Sequence, residues 1–180
     1  MDYLKLLCED SNLAADFDAL FDFFLLDEPT ERDEIEEKCT FSMDGKAFAR
    51  DGAGGEYHQL EDGSIRYMSS EGECGRIAES VDDLIHLLVY SICWHDYCDS
   101  SQYKDISTLE GYANERHNQI TSYTDMDKWE YVVKALGMPS EANLAAVLQK
   151  FYDATNREPL YQGFYHEEDG SITPYEGLFF

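Results

Sequence analysis

Basic residues are scarce in this chain: 13 Lys and Arg stand against 38 Asp and Glu, for a formal net charge of -25. A phosphate backbone is held through Lys and Arg that displace its counterions, and anionic headgroups attract the same side chains. The imbalance argues against direct nucleic-acid or membrane-surface binding and favours a protein partner with a basic surface. Long apolar runs are also missing. The nearest, Leu84 to Trp94, is interrupted by His86 and flanked by Asp82, Asp83 and Asp96, well short of the roughly 18 residues a spanning helix needs. No regular cysteine framework is present either, since Cys8, Cys39, Cys74, Cys93 and Cys98 form an odd, unevenly spaced set. With Met1-Asp-Tyr-Leu-Lys5 lacking the basic start and apolar core of a secretory signal, the expectation is a cytoplasmic protein with reduced thiols.

What the chain does contain is aromatic mass. It has 13 Tyr and 10 Phe, and 43% of its residues are hydrophobic, whereas acidic disordered chains are poor in such side chains. At 180 residues it is about one domain's worth and can bury roughly 70% of its extended surface.

The apolar spacing predicts a helix from Leu13 through Leu25, with Ser11 or Asn12 as N-cap. Pro29 breaks that pattern, and Thr30 can cap a short, very acidic helix running to Lys38. Between Thr40 and Ser80 the texture changes to short aromatic and β-branched runs separated by glycine, which predicts strands at 41–43, 46–50, 56–60, 64–69 and 75–79. Asp44-Gly45 and Asp62-Gly63 read as type I′ hairpin turns. Helical spacing returns over Val81 to Tyr97, with Ser80 as N-cap, then over 108–121, 127–136 and 140–155, with Gly137-Met-Pro139 as a stop and restart. The stretch Tyr165 to Ile172 echoes Tyr57 to Ile65, and turn chemistry accounts for the echo if both are hairpins.

The expected fold class is therefore α+β, a mainly antiparallel central sheet flanked by helices. The chain reads as one domain: N-terminal helices over 1–39, a sheet and core helix over 40–98, and a helical extension with a terminal hairpin over 99–180.

The most distinctive stretch is Phe48-Ala-Arg-Asp-Gly-Ala-Gly-Gly-Glu-Tyr57, followed by Leu60-Glu-Asp-Gly-Ser-Ile65 and by Ser70-Glu-Gly-Glu-Cys-Gly75, leading into a leucine-rich helix. In the order of these glycine-bearing pieces, from Phe41 to Trp94, the chain resembles the SUKH superfamily. That family includes fungal cell-wall synthesis regulators and bacterial immunity proteins that neutralise polymorphic toxins, often nucleases. The resemblance implies a SUKH-like sheet and an immunity-type function in which a cognate toxin, a basic nuclease, is bound and its surface occluded. The alternative it leaves open is an interaction or regulatory scaffold with no toxin partner.

Read physically, Gly52, Gly54 and Gly55 permit a sharp turn between two strands, after which Glu56 and Tyr57 re-enter the sheet. The cluster lacks the Lys and Ser/Thr of a phosphate loop. Glu71 and Glu73 project from a short loop where a partner's Arg or Lys could form charge-assisted bonds. Glu71, Glu73, Glu56, Tyr57 and Tyr67 are thus the candidate partner-binding residues, with Trp94 and Trp129 as further aromatic candidates by residue type, Trp94 fitting the core better. Cys93-Trp-His-Asp-Tyr-Cys98 does not read as a metal site, because the two cysteines would face different sides of a helix and no second ligand pair completes the set. No nucleophile elbow or local catalytic motif occurs, so neither catalysis, metal nor cofactor is expected.

Overall fold

Two strand-rich layers and a set of helices account for the architecture of the computed structural model, which describes residues 2–30 and 38–180. Five strands form an antiparallel sheet in the order β1-β3-β4-β5-β6: β1 (Phe24–Thr30), β3 (Gly45–Arg50), β4 (Glu56–Leu60), β5 (Ile65–Met68) and β6 (Cys74–Ala78). A smaller sheet joins β2 (Cys39–Phe41), β7 (Gly163–His166) and β8 (Ile172–Pro174) in that spatial order, also antiparallel. Among the described residues six α-helices complete the α+β fold: α1 (Tyr3–Glu9), α2 (Ser11–Phe21), α3 (Val81–Ser91), α4 (Ile106–Thr121), α5 (Met126–Ala135) and α6 (Leu144–Thr155). Among the described residues no helix is long and apolar enough to cross a membrane.

Four hairpin loops share one device. In each, the N–H of a glycine closes a turn onto the carbonyl three residues back, and that glycine takes a positive φ. The loops centre on Gly54 (φ 89), Gly63 (φ 85), Gly72 (φ 99) and Gly170 (φ 86). A turn followed by a left-handed residue is the three-residue hairpin with a bulge, which matches the right-handed twist of the strands it joins. The echo between residues 57–65 and 165–172 has this physical basis: in both loops an Asp carboxylate, Asp62 or Asp169, accepts from the backbone N–H and hydroxyl of the serine two residues on.

Several local expectations are corrected. The helix expected through Leu25 ends at Phe21, where Asp22 turns left-handed (φ 49) and its carboxylate accepts from Gly52 N–H at 2.8 Å. That bond ties the chain to the β3–β4 loop, and Phe23 drops among the rings of Phe17, Phe48 and Tyr57. Phe24 to Thr30 is then edge strand, helix α1 precedes it, and the α2 cap is Asp10 rather than Ser11 or Asn12. The acidic helix expected after Thr30 falls on residues 31–37, outside the described residues.

Asp44-Gly45 does not make a hairpin, because β2 pairs with β7 from the far end of the chain. The turn at Asp62-Gly63 is real but of the bulged kind, with positive φ at the glycine alone. The expected helix over 81–97 stops at Ser91: Ile92 takes φ 64, and Trp94–Tyr97 forms a separate 3-10 turn. Cys93 and Cys98 therefore flank that turn instead of sharing a helix. The last helix starts at Leu144 under an Asn143 cap, four residues later than its spacing suggests.

One face of the five-stranded sheet packs on the helices through Ala49, Tyr57, Ile65, Tyr67 and Ile77, which join Phe17, Leu84, Leu88, Trp94, Leu148 and Phe151 in the main core. The opposite face carries Glu56, His58, Arg66 and Arg76, all buried. The small sheet covers it, contributing Phe41, Tyr161 and Tyr175 to a second cluster with Leu60, Met68 and Cys74.

Candidate functional site

Strand alternation decides what the sequence-derived candidates do. Tyr57 and Tyr67 point into the main core and are 1% and 3% exposed. Their rings lie 5.0 Å apart, Trp94 Nε1 donates to the Tyr57 hydroxyl at 3.1 Å, and Tyr67 donates to Asp51 Oδ2 at 2.6 Å. Burial pushes both phenols well above their ordinary value, Tyr67 further because Asp51 accepts its proton. Neither can offer its ring to a partner in this fold; both are core residues, as are Trp94 and Trp129.

Asp51 organises the glycine-rich turn. Its Oδ1 accepts from Ala53 and Gly55 N–H at 3.0 and 2.7 Å. A side chain on Gly55 would collide with the Tyr67 hydroxyl and Asp51 itself, so glycine is needed there for space, and at Gly54 for its positive φ. The stretch acts as a strand connector that sets Glu56.

Glu56 points the other way, onto the ionic face, at 7% exposure. Arg50 Nη2 contacts Oε1 at 2.5 Å, and His58 Nε2 contacts Oε2 at 2.9 Å. His58 Nδ1 in turn faces Arg66 Nη2 at 2.8 Å, while Arg66 Nη1 donates to the Tyr161 hydroxyl at 2.8 Å. Burial opposes ionisation of Glu56, but the hydrogen bond from His58 and the charge of Arg50 outweigh it and hold the carboxyl below its usual range. The result is a fixed negative charge at the end of a buried polar chain.

That charge borders a groove of about 510 Å³ between the β5–β6 loop and the terminal hairpin. Glu71 stands on one wall and Glu167 and Glu176 on the other, with Tyr165, Tyr175, Met68 and Pro174 supplying apolar surface. The two sides are joined where Glu73 bridges Glu176 in parallel and Cys74 N–H bonds Glu176 O at 2.8 Å. Among the described residues no Lys or Arg lines the groove, although Arg50 reaches Glu56 at its border. Of the five candidates, Glu56 and Glu71 meet here, exposed Glu73 adjoins on the same loop, and Tyr57 and Tyr67 lie behind the sheet.

Sequence reasoning missed Glu167, Glu176, Tyr165 and Tyr175. The available signal was the hairpin echo, which placed acids and tyrosines of the C-terminal stretch on a second hairpin without saying where it docks. Among the described residues, no group of three His, Cys, Asp or Glu side chains is placed to hold a metal ion. Burial raises the Cys74 thiol to about 11 and the Cys98 thiol to about 12. Compared with known proteins, the chain matches no family model, no curated protein and no solved structure.

Proposed function

We propose that this chain is an immunity-type protein that binds a cognate toxin domain with a basic surface, of the nuclease class, and neutralises it by covering that surface. The observation that carries the reading is the groove at the junction of the two sheets, where four glutamates and two tyrosines converge and, among the described residues, only Glu56 of the four is paired with an arginine, Arg50. A net charge of -25 adds long-range attraction for a basic partner, with association rising toward roughly 10⁸–10⁹ M⁻¹s⁻¹ at low salt. The SUKH-like order of glycine-bearing pieces from Phe41 to Trp94 supplies the toxin-antagonist part of the reading. An interface of about 800 Å² per partner suffices, and the groove with its rim offers the centre of one.

The test is co-expression with the product of an adjacent gene that ends in a toxin-like domain. Relief of killing and a stable complex in pull-down are expected; unrelieved killing with no complex overturns the reading. Raising salt should slow association much more than it speeds dissociation.

A further inference from the structure

The two edges of the five-stranded sheet are finished differently. At the β6 edge the outward main-chain groups have partners: Cys74 N–H bonds Glu176 O at 2.8 Å, and the Thr155 hydroxyl donates to Arg76 O at 2.8 Å. At the other edge β1 has, among the described residues, a strand neighbour on one side alone, β3. Even that ladder is interrupted. Phe24 and Leu25 pair with Arg50 and Ala49, pairing resumes only at Thr30 with Ala47, and residues 26–29 bulge out opposite Phe48. Asp27, Glu28 and Pro29 are exposed there, and Phe24 is 38% exposed. Extended backbone at an open edge is a template for one more strand, because its N–H and C=O groups seek partners.

Beside this edge runs a groove of about 480 Å³ between α1, α2 and β1. Ala14 and Ala15 leave its α2 side open, while Leu7, Phe24 and Leu26 supply apolar surface. The carboxylates of Asp18 and Asp27 flank it, and among the described residues no Lys or Arg lines it. The segment that fits is extended, with apolar side chains turned to the groove and alternate Lys or Arg turned to Asp18, Asp27 and Glu28. Pro29 has no N–H and closes the pairing stretch, so that Phe24 to Glu28 offers about 17 Å of strand. A second copy of this chain is a poor occupant. Antiparallel self-pairing centred on these residues would set Asp27 and Glu28 against their own copies, between molecules that each carry a net charge of -25.

We infer that the outer edge of β1 is a docking edge, which takes up an extended segment of a partner protein, Lys or Arg alternating with apolar residues, as an added strand. Main-chain bonds supply the hold, and the groove with its acids selects the sequence. The edge shares no residue with the groove at the sheet junction, and the inference goes beyond the proposed function without depending on it.

The probe is the capped peptide Thr-Lys-Val-Arg-Val-Lys-Thr, titrated against the full chain and followed by backbone amide NMR signals. Two further versions carry N-methyl groups, one on the basic residues and one on the residues between them. Successive residues of a strand direct their N–H groups to opposite sides, so only one of these sets faces β1. The unmodified peptide should move the amide signals of Leu25 to Glu28. One methylated version should bind at least about tenfold more weakly, and the other should stay within about threefold. A version with glutamate in place of each basic residue should not bind. Ala15→Arg puts bulk and positive charge into the groove from an exposed helical position and should lose at least about tenfold. The control Ala146→Arg, exposed on α6 outside the groove, changes the net charge equally and should stay within about twofold. Both keep a good helix former at an exposed site, so folding is safe. Asp27→Asn/Glu28→Gln should lose about threefold to tenfold.

Unmoved signals at Leu25 to Glu28, equal losses from the two methylated versions, or equal effects of Ala15→Arg and Ala146→Arg would overturn the inference. Self-association of the chain that Ala15→Arg abolishes would overturn it too, by making a second copy the occupant. If a toxin is neutralised while β1 ignores the peptide, the docking edge falls and the immunity reading stands. If the peptide docks as expected but no toxin is neutralised, the converse holds.

Discussion

The two faces of the five-stranded sheet are built on opposite principles. On the helical face Tyr57, Ile65, Tyr67 and Ile77 bury apolar area, and their only polar atoms are tied off in pairs such as Tyr67 to Asp51. On the other face, a residue away along the same strands, Glu56, His58 and Arg66 are buried as a hydrogen-bonded chain, and buried Arg76 donates to the Ser64 hydroxyl and the Arg157 carbonyl. The first face holds the fold together, because apolar burial contributes about 25 cal/mol per Å² without geometric demands. The second contributes less net stability, since desolvation offsets most of the attraction between buried ions. What it adds is direction: Glu56 is held at the border of the groove.

The largest expected effect that tests this contrast is on the apolar face. Trp94→Ala, which removes a fully buried ring and leaves the Tyr57 hydroxyl without its donor, should cost about 3–5 kcal/mol in urea unfolding. A loss under about 1 kcal/mol would mean that the helices pack far more loosely on the sheet than this geometry implies.

On the ionic face Arg66→Ala should cost about 3 kcal/mol, because it takes the guanidinium from His58 Nδ1 and the donor from the Tyr161 hydroxyl and leaves an unfilled space. The joint change Glu56→Leu/His58→Leu/Arg66→Met should by contrast leave stability within about 1 kcal/mol of the original, or raise it, since the linked buried groups leave together and Arg50, 36% exposed, can turn to water. If the triple variant is as unstable as the single one, the ionic face is stabilising in its own right and the contrast fails.

Smaller effects separate shape from conformation in the turns. Gly63 has open space around its Cα and needs only its positive φ, so Gly63→Ala should cost about 1–2 kcal/mol. Gly55→Ala adds a collision with Tyr67 and Asp51 and should cost more, with the Tyr67 ring signals displaced in an NMR spectrum. Equal costs would show that the Asp51 network can move aside.

The smallest effect is in pH. Glu56, Asp62 and Asp83 all have carboxyls below their ordinary values of 4.5, 3.8 and 3.8, in each case against burial and through hydrogen bonds and nearby cations. A depressed folded-state value means that the stability these groups add is complete above the ordinary value and is lost as pH falls through the lower one. The urea midpoint should therefore hold steady down to about pH 5 and fall below about pH 4. Glu56→Gln should start lower at neutral pH and show a shallower acid slope; an unchanged slope would remove Glu56 from the set.

Much of the fold was readable because its signals are local. Ser80 caps α3 through the Asp83 N–H, and the Asp62-Gly63 pair turns β4 into β5. The strand runs from Lys46 to Glu79 are bounded by glycines whose conformations the structure retains. Errors arose where a distant contact overrode a local pattern. Phe24 and Leu25 fit the helical spacing of Leu13 to Phe21, yet Asp22 bonds to Gly52 and sends them into the sheet. Residues 41–43 read as the first strand of a hairpin, but the strand lies at Cys39–Phe41 and its partner is Gly163 to Tyr165.

The candidate site divides in the same way. Glu56 and Glu71 stood out from composition and loop chemistry, whereas Tyr57 and Tyr67 were misplaced because parity along a strand does not say which face meets the helices. By itself the sequence determined the acid excess, the turn positions and the existence of strands and helices, all of which follow from short-range sterics and hydrogen bonding. Only the tertiary structure decided that the terminal hairpin docks on the ionic face and brings Glu167, Tyr175 and Glu176 opposite Glu71. That docking depends on shape and charge matching between segments about a hundred residues apart, and no local rule encodes it.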